Sequence, residues 1–169
     1  VVPHEVKFAG VAHDEKRVQI GHDLKAEKLD AAVITSPASI AWAFNIRGGD
    51  VSCTPLPLGR AILFADGSAD LFLDEVKVSN ALRQHLGNSV TLRPLADLEK
   101  GLSDLKGKTV SVDPDVASAW FFDQLEQAGA TPVRQRDPVA LPKACKNDAE
   151  LAGSAAAHLR DGVALTRFL

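Results

Sequence analysis

The 169-residue chain has no methionine, no tyrosine, only two cysteines, and aromatic side chains at 5% of its positions. Cys53 and Cys145 are too few for a disulfide framework and lack the close spacing of a zinc site. No apolar run approaches the ~18 residues that a membrane span needs; Ile40 to Phe44 and Ala61 to Ala65 are typical of the longest. Neither sign of charge dominates, with 19 basic against 22 acidic residues and a net charge of −3. That balance leaves no electrostatic footprint for nucleic acid or an anionic membrane. Hydrophobic residues at 46% and charged residues at 24% rule out general disorder. These averages define a soluble domain of a reducing compartment, alone or with a short appendage. The missing methionine, with valine first and no leader pattern, adds the expectation of a piece of a longer protein. The last stretch agrees, because Asp148 to Leu169 reads as a helix with no Gly or Pro to stop it.

What is present is an alternation of periods. Ala12 to Asp30 has helical spacing, with Val11, Val18, Leu24 and Leu29 approximating one stripe among many charges. Ala31 to Thr35 is an apolar run of buried-strand type. Ser36-Pro37 opens a short helix ending near Asn45, with Ser as N-cap and Pro at the first position. Arg60 to Ala65 and Ala69 to Asp74, joined by Asp66-Gly67-Ser68, read as a hairpin. Val76 to Leu86 is a helix ending at Gly87, Val90 to Leu95 a strand, and Ala96 to Leu105 a helix. Thr109 to Asp113 is a strand, Asp113-Pro114 opens a helix running to Gly129, and Thr131 to Gln135 is a further strand.

This order predicts a three-layer α/β domain, a mixed β-sheet flanked by helices. Its expected bounds are residues 11–136, preceded by a linker (1–10) and followed by another (137–147). Residues 148–169 form a final helix with an apolar stripe at Leu151, Ala155, Leu159 and Val163 and nothing obvious to cover it. It is expected to be the first helix of a next domain.

Little in the chain points to chemistry. His13 and His22 lie nine positions apart, which at about 100° per residue puts them on opposite helix faces and prevents a shared metal. Both are expected on a solvated helix. His85 sits near a helix end, where a cation is favoured, and His4 is uninformative. The chain lacks Gly-x-Ser-x-Gly, Gly-x-Gly-x-x-Gly and a Walker sequence, so no nucleophile elbow or phosphate cradle is encoded. Cys53 has no His beside it and reads as a buried or half-buried ordinary thiol. Cys145 has cationic neighbours but carries the same plain reading.

One segment stands apart: Trp42, Phe44, Asn45, then Arg47 on the Gly48-Gly49 turn, with Asp50 after it. An aromatic beside a loop arginine suits recognition of a carboxylate or a peptide end. The plainer alternative has Trp42 in the core and Arg47 paired locally with Asp50. Trp42, Arg47 and Asp50 are therefore the candidate substrate- or interface-facing residues.

The same segment, Ile40 to Val51 with Thr54-Pro55, strongly resembles a motif in the second N-terminal domain of Xaa-Pro aminopeptidases. The likeness continues through Ala61 to Phe64 and Ala69 to Asp74, and again at Pro142 to Asn147 with Glu150 and Gly153. Ala157 to Leu165 resembles the opening of that family's catalytic domain. The resemblance implies a creatinase/prolidase N-terminal fold, a parent that removes an N-terminal residue preceding proline, and a catalytic domain holding two Mn²⁺ or related divalent ions through two Asp, one His and two Glu.

No such ligand set is carried by these residues, and His158 and Asp161 are assigned no metal role. The resemblance further implies a cytoplasmic homodimer, with the parent's own catalytic domain, a neighbouring subunit and the peptide substrate as partners. The family's first N-terminal domain has no counterpart here. The expectation is a noncatalytic middle domain that contributes to substrate access or assembly. The alternatives are an interaction module of an inactive relative, or a domain of creatinase or prolidase.

Overall fold

The computed structural model describes residues 1–169. In chain order it contains β1 (Val2–Pro3), α1 (Val6–Ala9), α2 (His13–Ala26), β2 (Ala31–Ile34), α3 (Pro37–Ala43) and β3 (Ile46–Arg47). The hairpin β4 (Arg60–Phe64) and β5 (Ala69–Leu73) comes next, then α4 (Asn80–Leu86), β6 (Val90–Pro94), α5 (Leu98–Ser103) and β7 (Thr109–Val112). Finally come α6 (Ala119–Ala128), β8 (Thr131–Arg134), α7 (Ala140–Ala144) and α8 (Asp148–Phe168). Six strands form one mixed sheet, as the alternation predicted, and their order is β6-β5-β4-β2-β7-β8. Only β4 runs against the other five, since its pairings with β2 and β5 are antiparallel and the rest are parallel.

β2 lies at the centre and all four of its residues are buried. A strand covered on both faces must be apolar throughout, which accounts for Ala31-Ala32-Val33-Ile34. Successive residues serve opposite layers. Ala32 and Ile34 join a core with Leu63, Leu71 and Ile20, while Ala31 and Val33 join a second with Ile62, Phe72 and Leu125. Helices α2, α3 and α4 cover the first face, and α5 and α6 the second.

Local chemistry starts and stops the elements. Ser36 Oγ accepts the Ser39 amide at 3.4 Å, with Pro37 in the first turn of α3. Asn45, at φ +47°, ends the segment after α3, a left-handed conformation that Asn tolerates better than most residues. At the hairpin, Asp66 Oδ1 accepts the Ser68 amide at 2.9 Å. Gly21 lets α2 lie directly on that hairpin, because a Cβ there would come within 2.9 Å of Ala65 O.

Several expectations are corrected. Residues 1–10 are no simple linker: β1 pairs antiparallel with β3, and α1 follows. Both are too short to leave a periodic signal. On α2, Val18 is exposed, and the inward face carries Lys16, Arg17, Ile20 and Leu24. The expected helix from Val76 splits into a 3-10 turn (Glu75–Lys77) and α4, because Ser79 Oγ caps Leu82 N. The helix expected from Asp113-Pro114 begins only at Ala119. The Asp113 carboxylate is used instead to accept from the Asp115 and Asp137 amides. Residues 137–147 contain α7, with Asp137 and Val139 buried.

Candidate functional site

α2, α3, β3 and the start of α8 enclose a cleft of about 520 Å³. Its anchor is Asn45, whose backbone O accepts from His4 N at 2.7 Å and whose Nδ2 donates to Val11 O at 2.9 Å. Asn45 Oδ1 accepts from Lys16 Nζ at 2.8 Å. Lys16 also donates to Trp42 O at 3.3 Å, with its ammonium 4.0 Å from the Trp42 ring centroid. Lys16 as a residue is 4% exposed, and its amine has no carboxylate in contact. Burial, helped by Arg47 and opposed by Glu150, pulls its pKa from 10.5 to about 8.

The base of α8 closes the other side. Trp42 Nε1 donates to Glu150 Oε1 at 2.9 Å. Glu150 Oε2 accepts the Asn147 amide at 3.1 Å while Asn147 Oδ1 accepts the Glu150 amide at 3.0 Å, a complete capping box. Asn147 Nδ2 donates to Ala9 O at 2.9 Å, tying α8 to α1. Gly10, at φ +74°, is required beside it, since a Cβ would collide with the Asn147 side chain. The first turn of α8 is thus docked on the domain, while Leu159, Val163 and Phe168 farther along it remain exposed.

The three candidate residues do not act as one group. Trp42 and Arg47 line the cleft together. Arg47 Nη1 donates to Ala41 O at 3.2 Å and to Ile46 O at 2.9 Å, not to Asp50. Burial lowers the Arg47 pKa, with Glu150 opposing. Asp50 turns away, accepting from Lys77 Nζ at 2.8 Å and Leu58 N at 2.7 Å. Those bonds hold its carboxyl below the usual range. The local Arg47–Asp50 pair is therefore not formed.

Lys16 and Glu150 entered the sequence reading only as a helix charge and as part of a motif. The only clue was that Lys16 and Arg17 lie one and two turns before Ile20 and Leu24, at the spacing that shares their inward face.

Other residues go elsewhere. His13 is half-buried rather than solvated, with its ring centroid 4.6 Å from that of His85. Its Nε2 bonds His85 O at 2.8 Å, and its Nδ1 faces Arg17 Nη1. Burial and then Arg17 lower its pKa. His85 Nε2 bonds Phe44 O at 3.0 Å, so it serves packing between elements and not merely a helix end. Arg17 is 1% exposed, and burial brings its pKa down to about 10, still a cation at neutral pH. Cys53 is exposed, contrary to expectation, because it lies in the exposed stretch 52–55, where it takes φ +56°. Cys145 is exposed as well.

No three His, Cys, Asp or Glu side chains are gathered in a metal-binding cluster. Glu150, the one carboxylate of the cleft, is spent on Trp42 and Asn147 among cations. The residues of this chain therefore do not fit the dinuclear ligand set. No helix is long and apolar enough to cross a membrane.

A mixed six-stranded sheet between two helical layers, with a short N-terminal strand on the cleft side, defines the class of protein: a three-layer α/β domain. Residues 1–150 match the family described as creatinase/prolidase N-terminal domain, and the chain belongs to that family. A probable Xaa-Pro aminopeptidase P of Coccidioides posadasii (strain RMSCC 757 / Silveira) is 35% identical over 178 residues, covering 99% of this chain and 29% of its own. The crystal structure of X-prolyl aminopeptidase from Caenorhabditis elegans, described as a cytosolic enzyme with a di-nuclear active site, superimposes with a TM-score of 0.88 at 26% identity. That match covers 99% of this chain and 28% of the other.

The N-terminal domain of cytoplasmic peptidase PepQ from Mycobacterium tuberculosis H37Rv shares the fold, with a TM-score of 0.55 at 20% identity. The match covers 74% of this chain and 95% of that one. This chain spans less than a third of the length of the aminopeptidases it matches.

Proposed function

We propose that this chain is a noncatalytic domain of a cytoplasmic Xaa-Pro aminopeptidase, a metallopeptidase that removes an N-terminal residue preceding proline. The observation that carries the reading is the match along 99% of the chain to a protein of that name, over only 29% of its length. The two divalent ions, Mn²⁺ or a relative, belong to residues of the parent outside this chain. What the domain contributes is geometry. The Trp42–Arg47 side of the cleft faces the substrate path or a second subunit of a homodimer, and restricts access to unfolded chain ends. The exposed stripe of α8 is the surface on which the catalytic domain continues.

The test is turnover of the full-length protein on an Xaa-Pro peptide, with and without Arg47→Ala, alongside its mass in solution. The expected outcome is metal-dependent cleavage, with turnover lowered or dimer weakened by the substitution. Unchanged kinetics and unchanged assembly would defeat the role given to the cleft. A parent that fails to cleave with Mn²⁺ present would point to an inactive relative.

A further inference from the structure

The cleft is electrostatically unbalanced. Lys16, Arg47, Lys143, Lys146 and the titratable His4 surround it, against the single carboxylate of Glu150. Glu150 neutralises none of them by direct contact, because its oxygens accept from the neutral Trp42 indole and the Asn147 amide. The ion pairs of the molecule lie elsewhere, between Lys7 and Glu5, Lys77 and Asp50, and Arg93 with Asp70 and Asp104. Lys16 and Arg47 are held only by neutral oxygens. Both bonds of Arg47 use Nη1, which leaves Nε and Nη2, the edge that matches a planar carboxylate, without a protein acceptor. Crowded cations destabilise one another when partly desolvated, and a bound anion removes that cost.

The remaining walls are apolar. The Trp42 ring, Ala38, Ala41, Pro55 and Leu56 line the same space. A volume of about 520 Å³ lies within the usual range of small-ligand sites, where apolar walls carry a few placed polar groups. A compact inorganic anion would use the charges and leave the walls wet; a peptide end uses both.

We propose that this cleft is a carboxylate-binding site that receives the C-terminal end of a short peptide, with Arg47 and Lys16 holding the carboxylate beside Trp42. The choice of a peptide over another acid rests on the substrate-facing role proposed above. The titration of the cleft groups agrees with this assignment. The pKa of His4 is lowered by burial and then by Arg47 and Lys16, so these groups already feel one another's charge. A carboxylate among them raises the Lys16 pKa above its unliganded value of about 8.

The experiment uses the ¹⁵N-labelled 169-residue chain, since a domain of the same fold has been crystallised on its own. The chain has two tryptophans. Trp42 reports the cleft, and Trp120, packed against the core of the other sheet face, is the internal control. The probes are the tripeptide Ala-Ala-Leu with a free C-terminus and the same peptide as its C-terminal amide, titrated to millimolar concentration. The expected result is a saturable shift of the Trp42 indole resonance with the acid, at least about tenfold weaker with the amide, a difference of about 1.4 kcal/mol. Trp120 stays fixed, and Arg47→Gln weakens the acid to the level of the amide.

Equal shifts with acid and amide, or no Trp42 shift with the acid, overturn the proposal. That comparison is made on the unsubstituted chain, so it holds even if the variant misfolds. Binding here requires no turnover. An inactive parent with acid-selective binding would fail the peptidase reading alone, and an active parent without such binding would fail this site alone.

Discussion

The two faces of the sheet are built on different principles. On the α5–α6 face the core consists of Phe72, Phe121, Phe122, Leu125 and their aliphatic neighbours, with no buried cation among them. The α2–α3 face also has a large apolar core, but Lys16, Arg17 and Asn45 are buried at its edge, satisfied by carbonyl, amide and hydroxyl oxygens. Burying a cation without a carboxylate is costly, and a fold gains little stability from it. The first face is a scaffold. The second buries charged groups around the cleft at a cost in stability, which fits the binding role proposed for it.

Three substitutions sharpen that contrast. Leu125→Ala, at a fully buried site of the scaffold face, is expected to cost about 2–5 kcal/mol by urea denaturation. A loss well under 1 kcal/mol would mean that this face is not the stability core. On the cleft face, Lys16→Met tests the burial cost through pH. The Lys16 pKa is depressed from 10.5 to about 8 in the fold, so between those values the unfolded chain holds a proton that the native one has released. Stability therefore rises with pH through that window.

Lys16→Met should remove about 2 kcal/mol of that rise, at about 1.4 kcal/mol per pKa unit discounted for the open side of the cleft. Parallel pH profiles of the urea midpoint for the two proteins would refute the assignment. The smallest effect is at the seam. Asn147→Ala removes the N-cap of α8 and its bond to Ala9 O, for about 1 kcal/mol. Amide exchange in residues 148–151 should quicken while that of β2 stays slow; an unchanged first turn would show that the cap does not dock the helix.

The sheet was legible because its signals are local. The all-apolar β2, the Asp66-Gly67 turn, the Ser36-Pro37 helix opening and Gly129 after α6 each declare themselves within a few residues. The cleft was half legible. Trp42 and Arg47 stood out as an aromatic and a cation flanking a turn, and both line it. Asp50 stood near them in sequence but pairs with Lys77, a partner no local pattern could choose. Lys16 and Arg17 were hidden for the same reason. On a helix rich in charge, periodicity favoured Val18, whereas contact with Trp42, Asn45, Gly67 and Ser89 turns the two cations inward.

The amino-acid order alone determined the alternation of strands and helices, the hydrophobic central strand and the caps, because each depends on residues within one or two turns of each other. The tertiary structure decided which charges meet. His4, Lys16, the Trp42–Arg47 segment and Glu150 come from four separate stretches of chain and face one cleft. Such a convergence is set by how β1 pairs with β3 and how α8 docks on α1, long-range contacts whose partners no local period encodes.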